Sequence, residues 1–196
     1  GIIIWTYFSD SLSQISNSFS ANAGLFNKVY FPRLIMPISV MATNIFKLGI
    51  QILMFLVLFI FVTSKSTFDY NISFISFAVV ISSIFMTSIL SLGIGMIIAS
   101  FTAKYKDLSH LVGFGIRISM YLSPIVYPIS IVPENLKLFL IINPMTAPIQ
   151  GFRYILDGSS IPSIEMALYS MSLGIMLIMI GLVLFFKTEK KFIDTV

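Results

Sequence analysis

Few residues in this chain have the makings of chemistry, and their spacing suits contact rather than bond-making. Lys28, Val29, Tyr30, Phe31, Pro32 and Arg33 form a short basic and aromatic run between two apolar stretches. Proline breaks a helix or turns the chain, so the run suits a cytoplasmic elbow between two membrane-crossing helices, where another protein gains a grip. A second group lies near the start. Ser9, Ser13, Ser16 and Ser20 recur along one helical side, flanked by Asp10, Gln14 and Asn17, while Trp5, Phe8, Leu12, Ile15 and Phe19 occupy the other. Lipid does not tolerate such a polar row, which should face protein or a water-filled path. Further on, Thr43, Lys47 and Gln51 share a helical stripe with Asn44 beside it. There Lys47 either snorkels to the cytoplasmic surface or faces an aqueous vestibule. Tyr121 and Tyr127 accompany Pro124 and Pro128, and belong either to an interfacial aromatic belt or to the lining of a path. His110 is the only histidine and sits in a basic loop, where it is read as solvated and given no chemistry.

The absences are equally informative. There is no Gly-Lys-Ser/Thr phosphate loop, no carboxylate pair inside a span and no His/Cys/Asp cluster. Gly93 and Gly95 sit mid-span and lack the remaining glycines of a nucleotide loop. Nothing here hydrolyses ATP, and energy for any work must come from another chain.

The elements that position these residues are read from hydropathy. The chain is 57% hydrophobic and only 10% charged, with a mean hydropathy of +0.99, whereas soluble domains carry about 25% charged residues. It is read as an all-α integral membrane protein. Crossing the hydrocarbon core takes about 20 apolar residues. Residues 34–62, 72–101, a shorter 111–131 and 161–186 meet that standard, and 2–19 is a fifth segment that either crosses or lies flat at the interface. Ser91, Gly95 and Ala99 form a small-residue ridge of the kind that permits close helix packing.

Positive charge orients the chain. One set of connections holds Lys28, Arg33, Lys104, Lys106, Arg117, Lys187, Lys190 and Lys191; the alternate set holds only Lys65, Lys137 and Arg153 among several acids. The first set is therefore cytoplasmic. An external start with five spans leads to the expectation of one further helix upstream, six in all. The external connection 132–160 is read as a re-entrant pair of short helices, 136–142 and 146–156, joined at Asn143 and Pro144. The alternative is a surface loop with one amphipathic helix. The two prolines at 124 and 128 should kink or end the preceding helix.

The strings Lys-Val-Tyr-Phe-Pro-Arg-Leu-Ile-Met-Pro (28–37), Tyr-Lys-Asp (105–107), Leu-Ser-Pro-Ile-Val-Tyr-Pro (122–128), Val-Pro-Glu (132–134), Asn-Pro (143–144) and Gly-Phe-Arg (151–153) resemble, in this order, the permease of bacterial polysaccharide ABC exporters. That group of type-2 transporters moves O-antigen, capsule or teichoic acid chains. The resemblance implies one permease domain over 1–196 in the bacterial cytoplasmic membrane, paired with a second copy as a homodimer and with a separate ABC ATPase. ATP and magnesium would sit on that partner, with no cofactor and no nucleic acid bound by this chain. It also implies a coupling segment at 22–34, with Lys28 to Arg33 and Tyr105, Lys106 and Asp107 at the ATPase contact. Pro133, Asn143, Pro144 and Arg153 would belong to an external gate. Trp5, Phe8, Ser9, Ser13, Ser16, Tyr121 and Tyr127 would line the path of a lipid-linked glycan, hydroxyls offering replaceable hydrogen bonds and rings offering flat faces. Lys104 and Lys106 stand where the family carries arginine, which loses bidentate guanidinium geometry. Competing readings are a permease for a drug or small lipid, and a membrane-embedded glycosyl or acyl transferase.

Overall fold

The computed structural model describes residues 1–21, 34–63, 74–105, 107–125, 127, 131–157 and 161–193. Among them the secondary structure is helical: α1 (Ile2–Ser16), α2 (Ser18–Ala21), α3 (Ile35–Thr63), α4 (Phe74–Thr102), α5 (Leu108–Tyr121), α6 (Glu134–Ile142), α7 (Thr146–Asp157) and α8 (Ile164–Ile193). Long apolar runs become helices in a bilayer because a helix satisfies its own backbone hydrogen bonds where water is lacking.

Three of the five expected spans are long and apolar enough to cross by themselves, Ile35–Phe61, Ile75–Thr102 and Ile164–Thr188. The other two are shorter. The 14 residues of α5 and the 15 of α1 reach only about 21–23 Å at 1.5 Å per residue, less than the roughly 30 Å of hydrocarbon. The expected span 111–131 is thus corrected to a helix that stops at Tyr121. Pro124 disfavours a helical Ser123 before it, and residues 122–124 form a turn instead.

Helix α4 is the hub, packed by α8, by α1 and by α7. Missing side chains allow these approaches. A Cβ on Gly93 would lie 2.8 Å from the Ile178 nitrogen in α8, and one on Gly95 would lie 2.6 Å from Ile15 in α1. The small ridge works as expected on the α1 side, with Ala99 and Ser91 fully buried. Ile4, Trp5, Phe8, Leu12 and Ile15 of α1 join Leu90 and Met96 of α4 and Phe185 of α8 in one core. At the cytoplasmic end the rings of Phe19 and Phe185 approach to 4.5 Å. By contrast α3 packs mainly on α1 and leaves large apolar groups such as Phe46, Leu53 and Phe61 exposed, as a lipid-facing helix does.

Candidate functional site

The outer half of the bundle is shaped by a helix–turn–helix. Helix α6 begins after Pro133 and ends before Asn143; α7 begins at Thr146. These bounds match the two short helices expected there. The turn between them is half-buried and held by α8. Ser170 donates to the Pro144 carbonyl at 2.7 Å and Tyr169 donates to the Ile142 carbonyl at 3.1 Å. Ser170 is six residues past the start of α8, so the turn sits about 9 Å along that helix. Helix α7 then packs on α4, with Thr146, Ala147, Ile149 and Phe152 buried. A Cβ on Gly151 would meet the Ser83 hydroxyl and Val79.

The same turn catches the broken end of α5. The Asn143 amide donates to the Ser123 hydroxyl at 2.9 Å and to the Leu122 carbonyl at 3.3 Å. Its Oδ1 accepts from the Met145 N–H at 3.0 Å. Arg153 on α7 donates to the Tyr127 carbonyl at 3.2 Å, and the Tyr127 hydroxyl donates to the Tyr121 carbonyl at 3.3 Å. The Leu122 carbonyl just past the end of α5 is thereby answered by Asn143 of the turn, and the Tyr121 carbonyl by Tyr127.

Two cavities border this junction. One of about 510 Å³ is walled by Trp5 and Phe8 of α1, by Leu90 and Ile94 of α4, and by residues of α5 and the turn. The other, about 530 Å³, lies against Tyr121, Tyr127 and Pro133. Both linings are mainly apolar, with Ser119, Ser123 and Asn143 the polar side chains of the first.

Sequence comparison places this architecture. The family model described as ABC-2 type transporter matches residues 1–156. The chain belongs to that family. An O-antigen export system permease protein from Klebsiella pneumoniae is 26% identical over 200 residues, covering 99% of this chain and 72% of its own length. The same-named protein of Myxococcus xanthus is 23% identical over 198 residues, covering 100% of this chain and 74% of its own. This ABC-2 chain is accordingly a multi-pass membrane transport subunit rather than an enzyme.

The expected site residues of this ABC-2 chain are distributed unevenly. Trp5 and Phe8 face the first cavity, their rings 5.3 Å apart. Tyr121 and Tyr127 face the second. The serines of α1 turn elsewhere. Ser16 is buried and donates to the Leu12 carbonyl at 2.6 Å, while its own carbonyl accepts from Thr102. Ser9 donates to the Thr6 carbonyl at 3.1 Å, and both Ser9 and Ser13 are half-buried on the side of α1 that carries exposed Asp10 and Gln14. That polar side is the one α4 leaves uncovered.

On its flank, Tyr7, Asp10, Asn44, Lys47 and Gln51 line one small polar cleft between α1 and α3. The Asn44 amide points to Gln14 at 3.5 Å, and Tyr7 bonds Ser88, halfway along α4, at 2.7 Å. Lys47 therefore lies beside protein polar groups at membrane depth, and Asp10 shares its cleft.

Lys28, Val29, Tyr30, Phe31, Pro32, Arg33 and Lys106 lie outside the described residues. Tyr105 is exposed, with the Lys104 ammonium 5.1 Å from its ring centre, and Asp107 precedes α5 as an exposed cap position. Pro133 caps α6. Residues to which the sequence assigned no role of their own are Leu122, Ser123, Phe139, Tyr169 and Ser170. Of these only Ser123, placed directly before Pro124, carries a sequence signal, since a helix that stops there must hand its last carbonyls to something.

Proposed function

We propose that this chain is the membrane-spanning subunit of an ATP-driven exporter that moves lipid-linked polysaccharide across the bacterial cytoplasmic membrane. The observation that carries the reading is the polar side of α1, where Thr6, Ser9 and Ser13 are half-buried and Asp10 and Gln14 exposed on a helix that otherwise packs into an apolar bundle. Such a face needs water or a polyhydroxylated cargo beside it. Relatives named as O-antigen export permeases supply the cargo class.

In this account two copies pair so that their polar faces border a common route, with Trp5, Phe8, Tyr121 and Tyr127 supplying flat faces for sugar rings. Each copy docks an ABC ATPase, which holds ATP and magnesium. Closure of the ATPases pushes on the segment 22–34, through Lys28, Tyr30, Phe31 and Arg33, with Tyr105, Lys106 and Asp107 as the neighbouring contact. The motion travels along α1 and α3 into the bundle. The segment 132–160, with Pro133, Asn143, Pro144 and Arg153, opens the external end.

The apolar linings of the two cavities favour a second reading, export of a small lipid or drug. The readings separate by substrate: ATP turnover stimulated by lipid-linked glycan supports the first, and turnover stimulated only by free lipid supports the second. The energy source is tested by affinity purification of the full-length protein in mild detergent with mass spectrometry. A stoichiometric subunit carrying a phosphate-binding loop is expected; its repeated absence would overturn the ATP-driven account.

A further inference from the structure

Arg117, counted in the sequence among the cytoplasmic bases, stands inside α5. From Leu108 to Arg117 the helix advances nine residues, about 13 Å, away from the basic loop that marks the cytoplasmic side. The outer end gives the same depth. Ser123 is bonded to Asn143, in the turn that Ser170 and Tyr169 hold about 9 Å below the start of α8. Arg117 lies six residues further in, about 18 Å from that start, near the middle of the 25-residue span Ile164–Thr188. Its neighbours Ile116 and Ser119 border the first cavity together with Leu90 and Ile94, midway along α4.

A cation at that depth is costly unless it meets water or an anion. The neighbouring helices offer no anion, since α4 and α5 contain neither Asp nor Glu. Among the described residues the Arg117 guanidinium has no ion pair and no hydrogen bond. Lys47 differs, for it shares a cleft with Asp10. The guanidinium is also accessible. Arg117 is exposed between the exposed rings of Phe114, three residues before it, and Tyr121, four residues after, so one helical face carries all three. A Cβ on Gly113, four residues before, would meet nothing within 4 Å, which leaves space beside the charge.

The planar fork of arginine suits a phosphate, which it grips by two parallel hydrogen bonds. Phosphates of resident lipids stand about 15 Å from the mid-plane of a hydrocarbon core some 30 Å thick. A phosphate level with Arg117 is therefore one in transit.

We propose that Arg117 is a phosphate-binding residue at the middle of the route, which takes the phosphate or diphosphate ester joining the cargo's lipid to its sugar as that charge crosses the apolar core. The proposal rests on the transport reading for a cargo in transit, and names the group by which that cargo is held.

The test is equilibrium binding to the full transporter, permease with its ATPase, in phosphatidylcholine nanodiscs with and without ATP. The probe is a radiolabelled polyprenyl diphosphate, and the matching polyprenol is the uncharged control. R117Q should bind the diphosphate roughly tenfold to a hundredfold more weakly than the parent. R117K keeps the charge without the fork and should fall between them. Polyprenol should bind all three equally. Nanodiscs half of phosphatidylglycerol separate the sources: unchanged diphosphate binding assigns the site to cargo, and competition shows that resident headgroups also supply the phosphate. Equal diphosphate affinity of parent and R117Q, or no binding by the parent, overturns the proposal. So does a loss that polyprenol shares, which marks a structural role. Should R117Q fail to assemble with the ATPase, R117K decides by the same comparison. Binding is read without glycan or export, so its failure leaves the exporter reading standing, and undiminished export in a permease deletion leaves the binding result standing.

Discussion

Asn143 satisfies three groups at once: the Leu122 carbonyl, the Ser123 hydroxyl and the Met145 N–H. Asn143 is only half-buried, so water replaces part of what is lost, and N143A should lower stability by about 0.5–1.5 kcal/mol, read as a drop in the thermal midpoint of the purified protein in detergent. An unchanged midpoint would mean that these contacts add nothing to the folded state. Gly93 tests packing at the same scale. A Cβ there would meet backbone atoms of Leu177 and Ile178 at 2.8–2.9 Å, and backbone cannot swing aside, so G93A should cost about 1–3 kcal/mol. Gly49 has nothing within 4 Å, and G49A should be neutral or stabilising by up to about 1 kcal/mol. Equal midpoints for the two variants would refute the close α4–α8 approach.

The elements were legible where proline and asparagine punctuate the chain. Pro133, Asn143 and Pro144 mark the start of α6 and the turn into α7, and the break after Tyr121 follows from Pro124. What the sequence concealed was the direction of side chains. The serine row of α1 reads as the wall of a path, yet Ser16 bonds back to the carbonyl four residues earlier, an outlet that any helical serine has. Trp5 and Phe8, chosen for their rings, reach the first cavity together with Leu12. Tyr169 and Ser170 were invisible because their partners lie 27 and 26 residues away in sequence, and no local pattern encodes such pairs. The cleft shared by Asp10 and Lys47 yields a prediction for the α1–α3 pair. Both side chains are exposed, so D10N and K47M should each change thermal stability little, and a double-variant cycle should read a coupling of about 0.2–1 kcal/mol across the cleft. Strict additivity would place the two groups in separate surroundings.

For the whole molecule, the uncovered polar side of α1 is the feature that a single chain leaves unresolved and that a paired, ATP-driven exporter puts to use. Tyr30 and Phe31 are the natural handles for the partner ATPase in this scheme. The double substitution Y30A/F31A should abolish export while membrane insertion stays normal, measured by surface glycan and by permease content of the membrane fraction. Export at the parental level would remove the coupling role from this segment. The central claim is tested most directly by deleting the permease and locating the lipid-linked glycan. The account predicts that glycan disappears from the cell surface and accumulates on the cytoplasmic face of the membrane, with surface display returning when the permease is restored. Undiminished glycan at the surface of the deletion strain would contradict it.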